Sequence, residues 1–580
     1  MKIIKEDARL NVLNHSCAHL LASAVKHLYP HALFWVGPVI DDGFYYDIDL
    51  GNDVIKEEDL EKIEKEMKKI AKDGKRMIRN EISKEEALEM FKSDPYKIDL
   101  IENMDENAII STYTHGDFTD LCRGPHVDTV KELKYFKLLK VSGAYWKGDA
   151  ENKMLQRIYG ICFDTEEVLN EYLKFLEEAQ KRDHRKLGRD LELFMISEYA
   201  PGMPFFLPNG MIIRNILENF WYEEHIKEGY TFVKTPILMD KKLWEVSGHW
   251  DNYKENMYTS KVDENVYAIK PMNCPGGMLA YKNGLHSYKD LPIRCGELGL
   301  VHRHEASGAL SGLFRVRQFT QDDAHIFMRE DQIEEEIISL INFIDRIYSN
   351  FGFDYRIELS TRPEEKFIGD VAIWEKSEAI LESICKKTGK EFKINPGDGA
   401  FYGPKLDFHI KDALGRSWQC GTIQLDMNLP ERFDLTYVDK DGSKKRPTMV
   451  HRVIFGSIER FFGILIEHFA GAFPLWLAPI QLNIIPVNNE HHLEYAKELE
   501  QTLKAQGLRV NIDAREEKLS YKIRESQTKK VPLTIILGDR EKESKVITYR
   551  PFGKEESYTL EIYEFISKVK ENISNKALKF

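Results

Sequence analysis

Residues 301–319, Val-His-Arg-His-Glu-Ala-Ser-Gly-Ala-Leu-Ser-Gly-Leu-Phe-Arg-Val-Arg-Gln-Phe, read as two apolar strands joined by a Gly- and Ser-rich turn. Alternate residues of a strand share a face, which pairs Arg303 with Glu305, and Arg315 with Arg317 and Phe319. A hairpin presenting several guanidinium forks beside an aromatic ring suits a nucleoside polyphosphate, the forks taking oxygens and the ring a base. The same residues would also serve as a solvated surface hairpin. The segment by itself leaves both readings open.

Immediately downstream, Gln321-Asp-Asp323-Ala-His325-Ile-Phe reads as a strand on which Gln321, Asp323 and His325 point the same way. Upstream, Lys270-Pro-Met-Asn-Cys274-Pro-Gly-Gly277 is a proline-framed loop holding one thiol, and His451 opens a second apolar run. One Cys with two His is the ligand count of a catalytic zinc, which keeps one or two positions open. The three residues are 51 and 126 positions apart, so periodicity does not show whether they meet.

Near the start, His15-Ser-Cys-Ala-His19 sets two imidazoles on one face of a helix, and Cys122-Arg-Gly-Pro-His126 sets a thiol and an imidazole around a turn. Together these are a metal quartet, a metal-free acid–base cluster, or ordinary half-buried side chains. There is no Walker A loop, no Gly-x-Gly-x-x-Gly after a strand, no Gly-x-Ser-x-Gly and no His-Glu-x-x-His. A P-loop or dinucleotide fold is therefore not expected.

The chain has 580 residues, enough for three to five domains at ~100–200 residues each. Its 82 basic and 95 acidic residues leave a net charge of −13, the wrong sign for a non-specific coat on nucleic acid. Seven scattered cysteines make no disulfide framework and read as reduced thiols. Met1 runs into charged residues rather than an apolar signal core, and the longest apolar stretch, Phe469 to Ile485, is broken by Pro474 and Pro479. A cytoplasmic protein with no membrane partner is expected.

Helices are expected at 11–29 and 56–73, and a long polar connector helix at about 165–187. After Pro474 the pattern alternates: a strand at 481–487, a helix at about 490–506, a strand at 508–513, a helix at 521–529 and a strand at 533–537. That series implies a small parallel or mixed sheet covered by helices. Residues 475–580 carry 18 basic against 16 acidic residues, a mild preference for a polyanion.

At this point the motifs resemble those of the threonyl-tRNA synthetase family, class II aminoacyl-tRNA synthetases, over essentially the whole chain. Gly229-Tyr-Thr-Phe-Val-Lys-Thr-Pro236 resembles the first class II motif, residues 301–319 the second, and Gly456-Ser-Ile-Glu459-Arg460 the third. The resemblance implies an α+β multidomain fold: an α/β editing domain at 1–180 with its linker helix to about 188, a class II antiparallel-sheet catalytic core at 189–473, and an α/β anticodon-binding domain at 474–580. The chain begins almost at the editing helix, so the ubiquitin-like domain many relatives carry in front is expected to be absent. The partners implied are L-threonine, ATP, tRNA(Thr) and a second copy in a homodimer, with one Zn²⁺ per subunit and Mg²⁺ accompanying ATP.

By the same resemblance Arg303 contacts the α-phosphate, Arg315 the γ-phosphate end and Glu305 the adenine amino group, with Phe319 and Arg460 sandwiching the ring. Gln419 and Ser457 complete that pocket. Cys274, His325 and His451 hold zinc, Asp323 accepts a hydrogen bond from the substrate, and Met272, Gln321 and Tyr402 line the amino-acid pocket. His249 is the family's candidate for the transfer step. Threonine and valine are nearly isosteric, so a site that reads the hydroxyl is needed. Serine lacks only a methyl, worth ~1–3 kcal/mol, so a second hydrolytic sieve is needed as well. His15, His19, Lys97, Asp120, Cys122 and His126 match the family's editing site for seryl-tRNA, expected to work without metal. Arg524, Glu541 and Arg550 fall where anticodon bases are read. Two positions depart from the family pattern: Gly277 stands where His is usual, and Glu516 where Asn is common. Two rival readings, a synthetase-like RNA-binding regulator and a free-standing editing hydrolase, are disfavoured by the intact three motifs.

Overall fold

The computed structural model describes residues 4–105, 108–149 and 151–580. The chain divides into two compact units, the first ending at Glu178 and the second starting at Ala179.

The first unit is built on an antiparallel sheet in the order β1 (Leu33–Phe34), β3 (Gly43–Asp49), β8 (Met154–Phe163), β7 (Tyr135–Tyr145), with β2 (Val39–Ile40) paired to β3. Helix α1 (Ala8–Leu28) starts at Asp7, whose carboxylate accepts the Arg9 and Leu10 N–H groups. It lays Leu13, Cys17, Leu20 and Leu21 into one core with Phe44, Tyr46 and Ile158, while α2 (Leu60–Asp73) adds Ile63 and Met67. A three-stranded antiparallel sheet of β4 (Ile78–Ile82), β5 (Ile110–His115) and β6 (Phe118–Leu121) stands beside α3 (Pro95–Glu102).

The expected connector helix is two helices, α4 (Glu166–Arg182) and α5 (His184–Asp190). Asp183 separates them, because its carboxylate accepts the Arg185 N–H and caps the second helix.

The second unit centres on an eight-stranded sheet in the order β9 (Thr231–Phe232), β10 (Ile293–His302), β11 (Gln318–Met328), β16 (Thr448–Val453), β15 (Ser417–Asp426), β14 (Lys405–Lys411), β12 (Asp354–Ser360), β13 (Phe392–Asn395). The five interior pairings are antiparallel and the two at the edges parallel. Helix α6 (Cys274–Lys282) precedes β10, and α7 (Ile458–His468) follows β16 with Ile458, Phe461, Phe462 and Leu465 in the main core.

The C-terminal sheet is mixed. Its order is β18 (Val510–Ile512), β17 (Leu482–Pro486), β19 (Leu533–Leu537), β20 (Val546–Pro551), β21 (Tyr558–Glu561), with β17 parallel to both neighbours and the rest antiparallel. Helices α8 (Asn489–Ala505) and α9 (Leu519–Thr528) make the crossovers. Among the described residues no helix is long and apolar enough to cross a membrane.

Residues 303–317 correct the strand reading. β10 ends at His302 and β11 begins at Gln318, with Val301 opposite Phe319. Between them lie loop and one short 3₁₀ turn, Ser307–Ala309, so alternation does not place the arginines. Arg317 is drawn off by its backbone, whose N–H donates to the Gly202 carbonyl, and its Nε donates to the Glu305 carbonyl. It does not line the cavity that Arg303, Glu305, Arg315 and Phe319 share.

Candidate functional site

Two adjoining cavities open on the large sheet. The first, about 540 Å³, is lined by Arg303, Glu305, Arg315, Phe319, Gln321, Gln419, Ser457 and Arg460. The second, about 300 Å³, is lined by Met272, Cys274, Arg303, Gln321, Asp323, Tyr402 and His451. Arg303 and Gln321 belong to both. In the first, the Arg303 guanidinium lies 5.1 Å from the Phe319 ring centre, and its Nε donates to the Pro271 carbonyl at 3.1 Å. Arg315 pairs with Glu305 at 2.9 Å. Ser457 is the N-cap of α7, accepting the Arg460 N–H, so the helix start aims Arg460 into the cavity.

In the second cavity, His325 and His451 are a register pair of β11 and β16 with ring centres 5.2 Å apart. Cys274 opens α6 after Asn273, whose side-chain amide donates to Asp323 at 3.1 Å. Gly299 makes room for this: a Cβ there would sit 2.2 Å from Asn273 Oδ1. Gly277, where the family pattern has His, lies against His325, a Cβ there falling 2.9 Å from His325 Nδ1. His249 is fully buried between Ser247 Oγ, 2.8 Å from its Nδ1, and Met272 Sδ, 3.1 Å from its Nε2. Burial, with the neighbouring His451 and Arg303, pushes its pKa down to about 3, so its imidazole is neutral. The Tyr402 ring lies 4.9 Å from that of His451, tilted by 42°.

The donors there suit zinc by chemistry: one thiol and two imidazoles, all buried. His325 Nε2 is buried without a hydrogen-bond partner. His451 Nε2 bonds Asp426 at 2.8 Å, the outer carboxylate that a metal-bound imidazole usually has. The three donor atoms are nonetheless not all within 4.8 Å of one another. Burial holds the Cys274 thiol well above its ordinary pKa, and a bound cation would reverse that.

The first unit holds a third cavity of about 370 Å³, lined by His15, His19, Tyr46, Lys97, Asp120 and Cys122 among others. Cys122 Sγ lies 3.2 Å from both His15 Nε2 and His126 Nε2. The ligand atoms of His15, His19, Cys122 and His126 all fall within 4.8 Å of one another. Lys97 Nζ meets Asp120 at 2.6 Å, and the Tyr46 hydroxyl donates to the same carboxylate. Burial lowers the pKa of all three imidazoles and raises the Cys122 thiol to about 11. The site is thus a set of neutral proton acceptors and donors around one buried Lys–Asp pair.

The anticodon candidates do not form one cluster of side-chain contacts. Arg524 is exposed on α9, and Arg550 lies on β20 opposite Thr534. Glu541 is held locally, accepting the Gly538 N–H at 2.9 Å and the Thr548 hydroxyl at 2.7 Å. Glu516 is exposed in the turn before α9.

The chain matches the tRNA synthetase class II core domain (G, H, P, S and T) over residues 258–469, an anticodon binding domain over 481–572, and the threonyl and alanyl tRNA synthetase second additional domain over 110–159. It is 56% identical over 575 residues to the threonine–tRNA ligase of Fusobacterium nucleatum subsp. nucleatum, covering 98% of this chain and 92% of that one. The chain belongs to the threonyl-tRNA synthetase family. The ligase of Clostridium tetani is 54% identical over 592 residues, covering 100% and 92%. A crystal structure of the RNA binding domain of threonyl-tRNA synthetase from Cryptosporidium parvum Iowa II aligns with TM-score 0.65 and 42% identity, covering 67% of this chain and 98% of that one.

Tyr46, which lines the third cavity, and Asn273 and Asp426, which bond Asp323 and His451, were not singled out from sequence. Tyr46 had a signal, alternation within Phe44-Tyr45-Tyr46 on a strand. Asn273, next to Cys274, had only its neighbour. Asp426 had none, since its bond to His451 spans 25 residues and two strands.

Proposed function

We propose that this synthetase joins L-threonine to tRNA(Thr) in two steps, threonyl-adenylate formation with ATP and transfer to the 3′-terminal adenosine, and hydrolyses mischarged seryl-tRNA(Thr) at a separate site. The observation that carries it is that Arg303 and Gln321 line both cavities of the catalytic sheet. A carboxylate seated in the smaller cavity and a triphosphate in the larger would meet at Arg303.

Adenylate formation is an in-line attack on the α-phosphate, which calls for positioning and charge neutralisation rather than a protein nucleophile. Arg303 takes the α-phosphate and Arg315 the γ-phosphate end, Arg315 exchanging Glu305 for phosphate oxygens. Glu305, so released, receives the adenine amino group. Phe319 and Arg460 enclose the ring, and Gln419 and Ser457 complete the wall. Mg²⁺ accompanies the phosphates. Asp323, already fixed by Asn273, accepts a hydrogen bond from the substrate, while Met272, Gln321 and Tyr402 shape the pocket. Cys274, His325 and His451 would hold one zinc per subunit. When bound, zinc supplies a Lewis-acid seat for the amino and hydroxyl groups of threonine, which valine cannot fill. His249, neutral and beside Cys274, is the transfer-step candidate.

Editing uses His15, His19, Cys122 and His126 around the Lys97–Asp120 pair, with water and side chains rather than metal. Asp120 is positioned by both Lys97 and the Tyr46 hydroxyl. The domains run 1–180, with a linker to about 188, then 189–473 and 474–580. Arg524, Glu541 and Arg550 face anticodon bases. A homodimer built through residues 229–236 and a cytoplasmic location complete the reading.

The test is threonine-dependent ATP–pyrophosphate exchange in a zinc-replete preparation, with threonine, serine and valine compared. Exchange strong with threonine, weaker with serine and absent with valine supports the reading. No exchange with threonine overturns it.

A further inference from the structure

The loop between β10 and β11 carries Arg315 and forms one wall of the larger cavity through Leu313, Phe314 and Arg315. Backbone bonds between Ser311 and Arg315, and from the Arg317 N–H to Gly202, shape part of this 15-residue loop. A histidine from elsewhere in the chain holds it at Leu313. His184, the second residue of the Asp-His-Arg-Lys-Leu-Gly stretch at 183–188, is 2% exposed. Its Nε2 accepts the Leu313 N–H at 3.0 Å. Its Nδ1 donates to Glu467 Oε1 at 2.7 Å, and the same carboxylate oxygen accepts the His184 backbone N–H.

These two partners settle the tautomer. A backbone N–H can only donate, so Nε2 is unprotonated, and Nδ1 carries the proton toward the carboxylate. Glu467 is itself anchored by Arg416 at 2.6 Å. The imidazole ring lies 4.0 Å from Phe314. Gly312, at φ +49°, is shaped to the ring: a Cβ there would fall 2.1 Å from His184 Nε2. Glu467 closes α7, the helix whose first turn presents Ser457 and Arg460 to the same cavity. One imidazole therefore ties the Arg315 loop to the helix that carries the opposite wall.

We propose that His184 is a positioning residue for nucleotide binding: through Leu313 N–H it sets the loop that delivers Arg315, and through Glu467 it registers that loop against α7. The proposal rests on the larger cavity being the ATP site.

The experiment is threonine-dependent ATP–pyrophosphate exchange with ATP and threonine varied separately, on full-length His184→Asn, His184→Gln and Gly312→Ala. Asn keeps a side-chain N–H where Nδ1 stands but cannot reach Leu313. Gln places an acceptor near the Nε2 position. Loss of this one hydrogen bond raises KM for ATP about tenfold in His184→Asn, with KM for threonine changed by less than about twofold, and His184→Gln recovers most of the loss. Gly312→Ala, which leaves His184 in place but displaces the loop, gives the same ATP-selective signature. Asn and Gln variants with equal KM for ATP, or an effect shared equally by ATP and threonine, overturn the proposal. If thermal unfolding shows that both His184 variants fail to fold, an unchanged KM for ATP in Gly312→Ala overturns it. A wild-type chain with no exchange overturns the reading of the cavity instead, and takes the proposal with it.

Discussion

His325 and His451 stand opposite each other on β11 and β16, their rings 5.2 Å apart and nearly perpendicular, with Asp426 holding the Nε2 of His451. Antiparallel pairing brings side chains from 126 residues apart to neighbouring positions, because directly opposed residues share a face of the sheet. Cys274 opens helix α6 and lines the same cavity as His451.

If these three hold zinc, Cys274→Ser removes the soft ligand and with it the metal. Metal analysis of the purified protein is expected to fall from about one zinc per chain to near none, and threonine-dependent exchange to fall by ~100-fold or more. Full exchange in a zinc-free variant would show that threonine is read without the ion.

Arg303 spans both cavities, so its loss acts on the bond-forming step and not on one substrate alone. Arg303→Ala is expected to lower kcat for exchange by ~10²–10³, and Arg303→Lys to restore little, because a lysine lacks the planar fork. An effect confined to KM for threonine would place Arg303 outside the phosphate contact.

Asp120 carries Lys97 and the Tyr46 hydroxyl on one buried carboxylate. Asp120→Asn keeps the volume and removes the charge. Hydrolysis of seryl-tRNA is expected to slow ~100-fold while threonine-dependent exchange stays at the wild-type rate. Parallel loss of both activities would point to general unfolding rather than a separate sieve.

Burial holds His15, His19 and His126 neutral, and brings His115 down to about 4. The unfolded chain titrates them near 6.5, so below that pH it binds protons the folded unit refuses, and stability falls as pH drops. His27, raised by Asp117 and Glu66, acts in the opposite sense but is one group against four. Each neutral histidine contributes to that fall at most about 1.4 kcal/mol per pH unit between its folded pKa and 6.5. Amide exchange in α1, corrected for intrinsic rate, is expected to lose protection between pH 7 and pH 5.5. Unchanged protection would mean that these rings protonate in the folded state.

Much of the site was legible where chemistry is local. The i, i+4 spacing put His15 and His19 on one helical face, and their rings are 5.6 Å apart. Alternation put Gln321 and Asp323 together on β11, and both line the second cavity. The same rule failed for Arg315 and Arg317, since a hydrogen bond from Arg317 to Gly202, over 100 residues away, outweighs local alternation. Helical patterning failed at 183, where one capping carboxylate divides a helix that side-chain pattern alone would continue.

Sequence by itself determined the order of the motifs, the alternation of strands and helices, and the residue types at every donor position. Only the tertiary structure decided which of them meet. Lys97 reaching Asp120, Asp426 holding His451, and His184 gripping the backbone of Leu313 are contacts across 23, 25 and 129 residues. Periodicity reports the face a side chain takes, which is a property of a few neighbouring φ and ψ angles. A partner on another element is chosen by packing of the whole core, and no local pattern encodes it.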